Sequence, residues 1–374
     1  MMRTSNIGYD TIRDEPCDNC IINPGTNTIL RADGKMKPSF FVKEKSVINL
    51  AISDLIQKRK EYKDLKLKMI EERKNSGQEW EKVVSDEIIV KELANSTYGI
   101  MGLDYGRYFS IDIAESITLF GQYCLMFAKK HFEGLGYPVI YGDTDSVFVS
   151  TDKDELDVDR SLEGFHSALK KELKEKYNID ETFIQLNFDK QYESFILIAK
   201  KSYVGHVVNM EGKKTDEVYG RGLDYIKKNT FSYAAEKQKE LIDYCLHQNP
   251  TRDDIKKWLH AVKKDFESRK FKKEDLIISQ RVGRDLEDYK GSAPLHVRLA
   301  QILKERTGEA LVHREIEYIV TGNTGVMQGI LAEEFTGEYD KEYYWDNKTY
   351  PILTRITEVA FPNYDFFQKQ LEMF

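Results

Sequence analysis

The sequence predicts an α+β fold: an antiparallel sheet backed by helices, preceded by a long antiparallel helical hairpin and followed by a mostly helical C-terminal region. Three observations predict it. Residues 46–74 and the stretch after Glu79 carry apolar side chains at helical spacing on either side of a short turn, Asn75-Ser-Gly-Gln78. Residues 137–150, Tyr-Pro-Val-Ile-Tyr-Gly-Asp-Thr-Asp-Ser-Val-Phe-Val-Ser, set two β-branched and aromatic runs around a Gly/Asp turn, the pattern of a β-hairpin. Beyond about residue 226 the composition turns helical and basic. A chain of 374 residues is too long for one small core, so two or three subdomains are expected.

Residues 1–40 are punctuated by Pro16, Pro24, Gly25, Gly34 and Pro38, so short extended pieces and loops are expected there. The abrupt start suggests a segment that sits inside a larger structure. In the first helix Val47, Leu50, Ala51, Leu55, Tyr62, Leu65 and Met69 recur at the helical period. In the second, Trp80, Val84 and Ile88 fall at four-residue steps, and Tyr98-Gly99 and Met101-Gly102 are expected to break it. Two long helices joined by a short turn make an antiparallel pair. Residues 111–131 repeat Ile113, Ile117, Phe120, Cys124, Phe127 and Ala128 on one face and lead through Gly134 and Gly136 into the hairpin. Its strands are expected at 139–141 and 147–149, with the turn at 142–146. Residues 161–176 form a further amphipathic helix. A strand at 183–189 and one from 195–199 that continues through 200–208 complete a sheet of about four antiparallel strands, backed by two helices, over 101–225. After Arg221-Gly222-Leu223, helices are expected at 230–247, 252–269 and 296–306. A last one follows in the stretch from Tyr343 to the end, where Pro351 suits a first turn. No internal repeat or low-complexity segment is present.

Hydrophobic residues at 41% and charged residues at 32% are those of a globular protein, and no run of 18 apolar residues offers a membrane span. Met1-Met-Arg-Thr-Ser-Asn6 lacks the apolar core of a secretory leader, so a cytoplasmic address is expected, in a cell without a nucleus or for a viral protein in its host. A nuclear address is also compatible. Four cysteines make no disulfide framework. Cys17 and Cys20 form one C-x-x-C without a second pair to complete a zinc site; they are read as loop cysteines, ahead of a local redox pair and of zinc. The net charge of −7 argues against a polyanionic partner only if charge is spread evenly. It is not. Residues 58–74 carry eight Lys/Arg against four acids and 252–273 carry nine against four, whereas 333–346 carry six acids and one Lys. Basic surfaces can therefore exist on this acidic chain.

Two constellations carry chemistry. Asp143 and Asp145 are two apart, so in an extended chain both carboxylates point to one side. Like charges held that close call for a cation, and hard oxygen ligands without His or Cys favour Mg²⁺ or Mn²⁺ over Zn²⁺. The plainer reading is an Asp-rich turn. On the second helix Lys91, Asn95 and Tyr98 share one stripe, and on the first Arg59 and Lys63 are one turn apart. Folding the pair about residue 76 or 77 sets position 62 level with 91. Arg59, Lys63 and Lys91 then lie at similar height, about 20 Å from the tip at a helical rise of about 1.5 Å per residue. Three cations at one level suit a polyanion such as a triphosphate; the plainer reading is a solvated basic face.

Together these stretches resemble the family B DNA polymerases. Tyr141-Gly-Asp-Thr-Asp-Ser146 matches that family's second catalytic carboxylate motif, and Lys91-Glu-Leu-Ala-Asn-Ser-Thr-Tyr-Gly99 matches its fingers motif. Ile56-Gln-Lys-Arg-Lys-Glu-Tyr-Lys63 looks like the opposing fingers helix. Lys200-Lys-Ser-Tyr203 is similar to a Lys-Lys-Arg-Tyr motif that follows the primer–template duplex, with Ser202 in place of the Arg. Arg221-Gly-Leu-Asp-Tyr-Ile226 resembles the boundary into the thumb, and 289–298, with Pro294 and His296, a thumb segment. The earlier motif Asp-x-x-Ser-Leu-Tyr-Pro-Ser is missing, and the opening residues look like the tail just after it.

The resemblance implies an order of residues 1–40 leading into the palm, fingers at 41–100, palm at 101–225 and thumb at 226–374. It implies a DNA-directed DNA polymerase adding dNTPs to a primer 3′-hydroxyl by a two-metal mechanism, with two Mg²⁺ ions or Mn²⁺ in their place. Asp145 would be a direct metal ligand and Asp143 an outer or transient one. Arg59, Lys63 and Lys91 would grip the dNTP phosphates, and Asn95 and Tyr98 would line the nascent base pair. Lys200, Lys201, Tyr203 and Arg221 would contact DNA without reading sequence. Implied partners are primer–template DNA, dNTPs, a sliding clamp, and a separate N-terminal polypeptide bearing the exonuclease and the first catalytic Asp. Two other readings are a non-catalytic polymerase-like DNA-binding or scaffold subunit and a primer-making nucleotidyltransferase.

Overall fold

The computed structural model describes residues 1–31, 33–151, 157–227, 230–289, 291, 293–309, 311–323 and 325–362. The chain forms two compact units, Met1–Phe188 and Asp189–Phe374, each with its own apolar core. The division falls inside the stretch 101–225.

The first unit runs β1 (Ile12–Arg13), β2 (Cys20–Ile22), α1 (Pro24–Thr28), β3 (Phe40–Val42), α2 (Val47–Glu71), α3 (Gln78–Met101), α4 (Ile111–Gly134), β4 (Val139–Asp143), β5 (Ser146–Val149) and α5 (Val158–Tyr177). The short strands β1, β3 and β2 form one small antiparallel sheet in that order. Cys17 and Cys20 are joined in a disulfide beside it, which corrects their reading as plain loop cysteines. The start of α2 is capped from a distance: the Asp10 carboxylate accepts from Ser46 Oγ at 2.7 Å and from the Val47 N–H at 2.9 Å, satisfying orphan donors with a negative charge.

Helices α2 and α3 pack as the expected hairpin, with Met69 and Val83 buried between them near its tip. Helix α3 does not break at Tyr98-Gly99. A helical glycine costs only about 1 kcal/mol, and the helix instead ends at Met101, which is 1% exposed in the core. Helix α4 is capped by Ser110, whose Oγ accepts from the Ile113 N–H. Ile113, Phe120, Cys124 and Ala128 are buried against Phe165, Leu169 and Leu173 of α5. α1 lies so close to α4 that a Cβ on Gly25 would meet the Leu119 backbone. The β4–β5 hairpin rests on the same helix, with Gly142 over Leu125.

The second unit opens with β6 (Lys190–Ala199), β7 (Ser202–Met210) and β8 (Lys213–Arg221), an antiparallel sheet in sequence order. The expected four-stranded sheet is thus two separate sheets, the β4–β5 pair in one unit and β6–β8 in the other. Residues 183–189 form no strand; the Phe183 N–H is taken by Thr4 Oγ1 at 3.0 Å and its ring by the Arg3 guanidinium. Then follow α6 (Ser232–Gln248), α7 (Arg252–Ser268), α8 (Lys273–Leu276), β9 (Ile278–Arg281), α9 (Leu295–Thr307), β10 (Glu315–Asn323), β11 (Met327–Leu331), α10 (Lys341–Tyr343), a π-helical turn (Tyr344–Thr349) and α11 (Tyr350–Ala360). A capping box of Thr251 and Asp254 starts α7 and Asn249 in left-handed conformation ends α6, which is why two helices sit back to back there. Pro351 lies in the first turn of α11, as expected. The antiparallel sheet β11-β10-β9 is an addition to the mostly helical C-terminal region. Residues 363–374, and positions 290 and 292 of the stretch 289–298, lie outside the described residues. Among the described residues no helix is long and apolar enough to cross a membrane.

Candidate active site

The acidic motif occupies the tip of the β4–β5 hairpin. Asp143 ends β4 opposite Ser146, and Thr144-Asp145 make the turn. Thr144 takes φ 54°, and the Asp145 N–H donates to the Asp143 carbonyl at 2.6 Å. Ser146 Oγ donates to the same carbonyl and Thr144 Oγ1 to Asp143 Oδ1, both at 3.2 Å. The extended-chain alternation expected for the two aspartates therefore does not apply: a left-handed residue separates them. They share instead an apex where Asp143 is half-buried and Asp145 exposed. Two carboxylates at an open turn suit a hard divalent cation. Among the described residues no third His, Cys, Asp or Glu joins them into a ligand set.

In the same unit, α2 and α3 present the cations. Glu87, 8% exposed, is the residue that sets their register. Its carboxylate accepts from Arg59 Nε at 3.3 Å and from Lys66 Nζ at 2.8 Å. The Lys66 hydrogen bond, with help from Arg59, holds its pKa below the usual carboxylate range against the opposing effect of burial. Glu87 thus faces a point midway between 59 and 66. One turn on, Lys91 comes level with Arg59, and Lys63 lies one turn further along α2. The Arg59–Glu87 bond uses Nε, so the two terminal guanidinium nitrogens are outside that pairing. Lys63 and Lys91 are exposed, with Lys91 Nζ 3.9 Å from Glu92 Oε1. Asn95 and Tyr98 continue the Lys91 stripe and are exposed as well. Glu87 is absent from the sequence-based set; an acid one turn before Lys91, in the run Glu-Ile-Ile-Val, is the signal that marks it.

In the second unit, the sheet register gathers the remaining residues at one end. Lys200-Lys201 is the β6–β7 turn rather than the start of a strand, with Lys201 at φ 64°. Tyr203 pairs with Leu197 on one side and Arg221 on the other. Gly222, at φ 67°, lies against the turn: a Cβ there would come 2.2 Å from the Lys201 carbonyl oxygen. Ser202 Oγ donates to the Gly222 carbonyl at 3.3 Å, so this residue ties the turn to the end of β8. Arg221 Nε donates to Tyr219 Oη at 3.0 Å. Lys200 and Lys201 are exposed, but Tyr203 is buried, its ring tilted against that of Phe195 with centroids 5.5 Å apart.

The family model described as DNA polymerase family B matches residues 1–359. The chain belongs to this family. Among its relatives, the DNA polymerase of Thermococcus sp. (strain 9oN-7) is 28% identical over 365 residues, which cover 94% of this chain and 43% of that one. The DNA polymerase of Thermococcus kodakarensis is 30% identical over 274 residues, 70% of this chain and 15% of that one. The DNA polymerase alpha catalytic subunit of Xenopus laevis is 25% identical over 285 residues, 72% and 19%. The solved family B DNA polymerase of Pyrobaculum calidifontis superposes with a TM-score of 0.59 at 24% identity, covering 96% of this chain and 43% of that one, a likeness of fold. The chain spans less than half the length of these family B polymerases.

Proposed function

We propose that these residues form the palm, fingers and thumb part of a DNA-directed DNA polymerase that extends a primer 3′-hydroxyl with dNTPs. The observation that carries it is the Tyr141-Gly-Asp-Thr-Asp-Ser146 motif at an exposed hairpin tip, in one compact unit with a two-helix cationic arm. The fingers are 41–100, the palm 101–225 and the thumb from 226 on.

Asp145 and Asp143 would hold hard divalent cations, Mg²⁺ or Mn²⁺. Such ions, when bound, activate the attacking hydroxyl and neutralise charge on the leaving pyrophosphate. Arg59, Lys63 and Lys91 bind the β- and γ-phosphates as they gain charge, a demand that phosphoryl transfer places on positioning and electrostatics. Glu87 orients Arg59 for that task. Asn95 and Tyr98 line the nascent base pair, where an exposed flat ring tests shape by packing. Lys200, Lys201 and Arg221 bind the phosphate backbone of the duplex. Tyr203, being buried, serves by holding the end of the sheet in register.

Among the described residues no third acid joins these two carboxylates, and two are few for a pair of metal ions. The proposal therefore includes a further acidic ligand from outside residues 1–374, carried on a separate polypeptide or on a covalently continuous segment. The test is primer extension with Mg²⁺ by this chain alone and mixed with a polypeptide bearing the Asp-x-x-Ser-Leu-Tyr-Pro-Ser motif. Extension is expected in the mixture only. Robust extension by the chain alone removes the need for the added ligand, and a chain that neither extends in the mixture nor binds duplex removes the polymerase reading.

A further inference from the structure

The second unit holds a cluster that the polymerase reading does not use. His206 on β7, Asp216 on β8 and His247 in the last turn of α6 bring one ligand atom each to within 4.8 Å of one another. We infer that these three residues bind one borderline transition-metal ion of the Zn²⁺ class, which clamps the C-terminal end of α6 to the β7–β8 ribbon.

The placement follows from register. His206 pairs with Val218 across the ribbon, and Asp216, two residues before Val218, points to the same face. His247 comes to that face because α6 packs on β6 and β7, where Ser194 Oγ donates to the Leu246 carbonyl at 3.0 Å. The two imidazole rings are 4.6 Å apart between centroids.

The ring nitrogens are already sorted. His206 Nδ1 lies 3.0 Å from Glu193 Oε2, and His247 Nδ1 lies 3.1 Å from both the carbonyl and the Oδ1 of Asp243. A metal-bound histidine characteristically gives its other N–H to a carboxylate or carbonyl, which fixes the tautomer and aims the remaining nitrogen at the metal. Here each Nδ1 has such a partner, so each Nε2 is the ligand atom. His206 Nε2 is 2.6 Å from Asp216 Oδ1. A tetrahedral ion with bonds of about 2.0–2.2 Å sets its ligand atoms about 3.3 Å apart, so bringing the three to coordination takes side-chain shifts of about 1 Å.

Chemistry selects the ion. Two imidazoles and one carboxylate suit Zn²⁺, Co²⁺ or Ni²⁺, whereas Mg²⁺ prefers oxygen and keeps its waters. His206 is buried and anchors the site, while the Asp216 side chain is 88% exposed, giving an entry path and a fourth position for water.

The test uses the untagged chain, since an affinity tag would itself take metal. Zn²⁺ is titrated calorimetrically in the presence of millimolar Mg²⁺, and Co²⁺ is followed by its visible absorption. Asp216→Asn and His247→Gln alter exposed side chains; Glu193→Gln probes the orienting carboxylate; His313→Asn removes an exposed histidine elsewhere. One equivalent of Zn²⁺ is expected to bind, with tetrahedral-type Co²⁺ absorption. Affinity should fall at least about tenfold in Glu193→Gln and further in the two ligand variants, with His313→Asn unchanged. At about a hundredfold excess over the dissociation constant, Tm should rise by about 5 °C or more in the parent and not in Asp216→Asn. Absence of saturable binding, or one-to-one binding that survives both Asp216→Asn and His247→Gln, overturns the site.

Discussion

Gly222 offers a quantitative check on how the basic turn of the second unit is built. It takes φ 67°, and a Cβ there would stand 2.2 Å from the Lys201 carbonyl oxygen and 3.1 Å from the Lys201 carbonyl carbon. Both are backbone atoms and cannot swing aside. Gly212, in the β7–β8 turn, is a built-in control: its φ is 83°, with nothing within 4 Å of an added Cβ. Gly212→Ala should therefore show the conformational cost alone, about 1–2 kcal/mol for an L-residue in the left-handed region. Gly222→Ala adds a steric term of about 1–3 kcal/mol, as overpacking typically does. Urea melts of the two variants should differ by that added amount, and by about 2–4 °C in Tm for each kcal/mol. Because the displaced turn carries Lys200 and Lys201, duplex affinity at low salt should also fall in Gly222→Ala and hold in Gly212→Ala. Equal destabilisation by the two substitutions would refute the close approach of Gly222 to the turn.

Three further outcomes are expected. Lys91→Ala should raise the apparent KM for dNTP by about tenfold or more, the size of a lost charge-assisted phosphate contact, with duplex affinity unchanged; steady-state extension by the completed enzyme reads this, and an unaltered KM counts against the cationic arm. Glu87→Gln should raise the same KM without touching phosphate itself, by loosening Arg59, while Glu87→Asp restores part of the effect. Glu87 also sets an acid limb. Its pKa is depressed in the folded protein, chiefly by Lys66, so its stabilisation is complete above the ordinary carboxylate range and is lost as pH falls through its own lower value. Tm against pH from about 6 down to 3 should drop less steeply in Glu87→Gln than in the parent, and parallel curves would contradict the assignment.

The sequence revealed what is local. The helical spacing of α4 put Ile113, Ile117, Phe120, Cys124, Phe127 and Ala128 on one face; four of them are buried, and Ile117 and Phe127 are half-buried. The Gly/Asp turn placed the β4–β5 hairpin to within two residues. It failed where distant pairing decides. β6 begins at Lys190 because its partner β7 reaches Met210, and nothing in 183–189 announces that the chain there stays unpaired. β10 alternates at its start, where buried Ile316 and Tyr318 each follow an exposed glutamate, Glu315 and Glu317, but its partners β9 and β11 are set by distant pairing. Left-handed Thr144 separates Asp143 from Asp145, so the alternation of an extended chain does not carry across the turn. The position of Glu87 one turn before Lys91 is local, but its pairing with Arg59 and Lys66 is not, since both lie on another helix. The His206, Asp216 and His247 cluster was beyond any spacing rule, since strand register and a helix terminus bring it together.

The measurement that bears most directly on the whole reading is Asp145→Asn, a nearly isosteric change at an exposed turn residue, in the complemented enzyme. Single-turnover primer extension should fall on the order of a thousandfold or more, the several kcal/mol that metal-borne charge contributes to a transition state, while duplex binding and Tm stay at parent values. Extension within a few-fold of the parent would contradict the placement of the reaction at this hairpin tip.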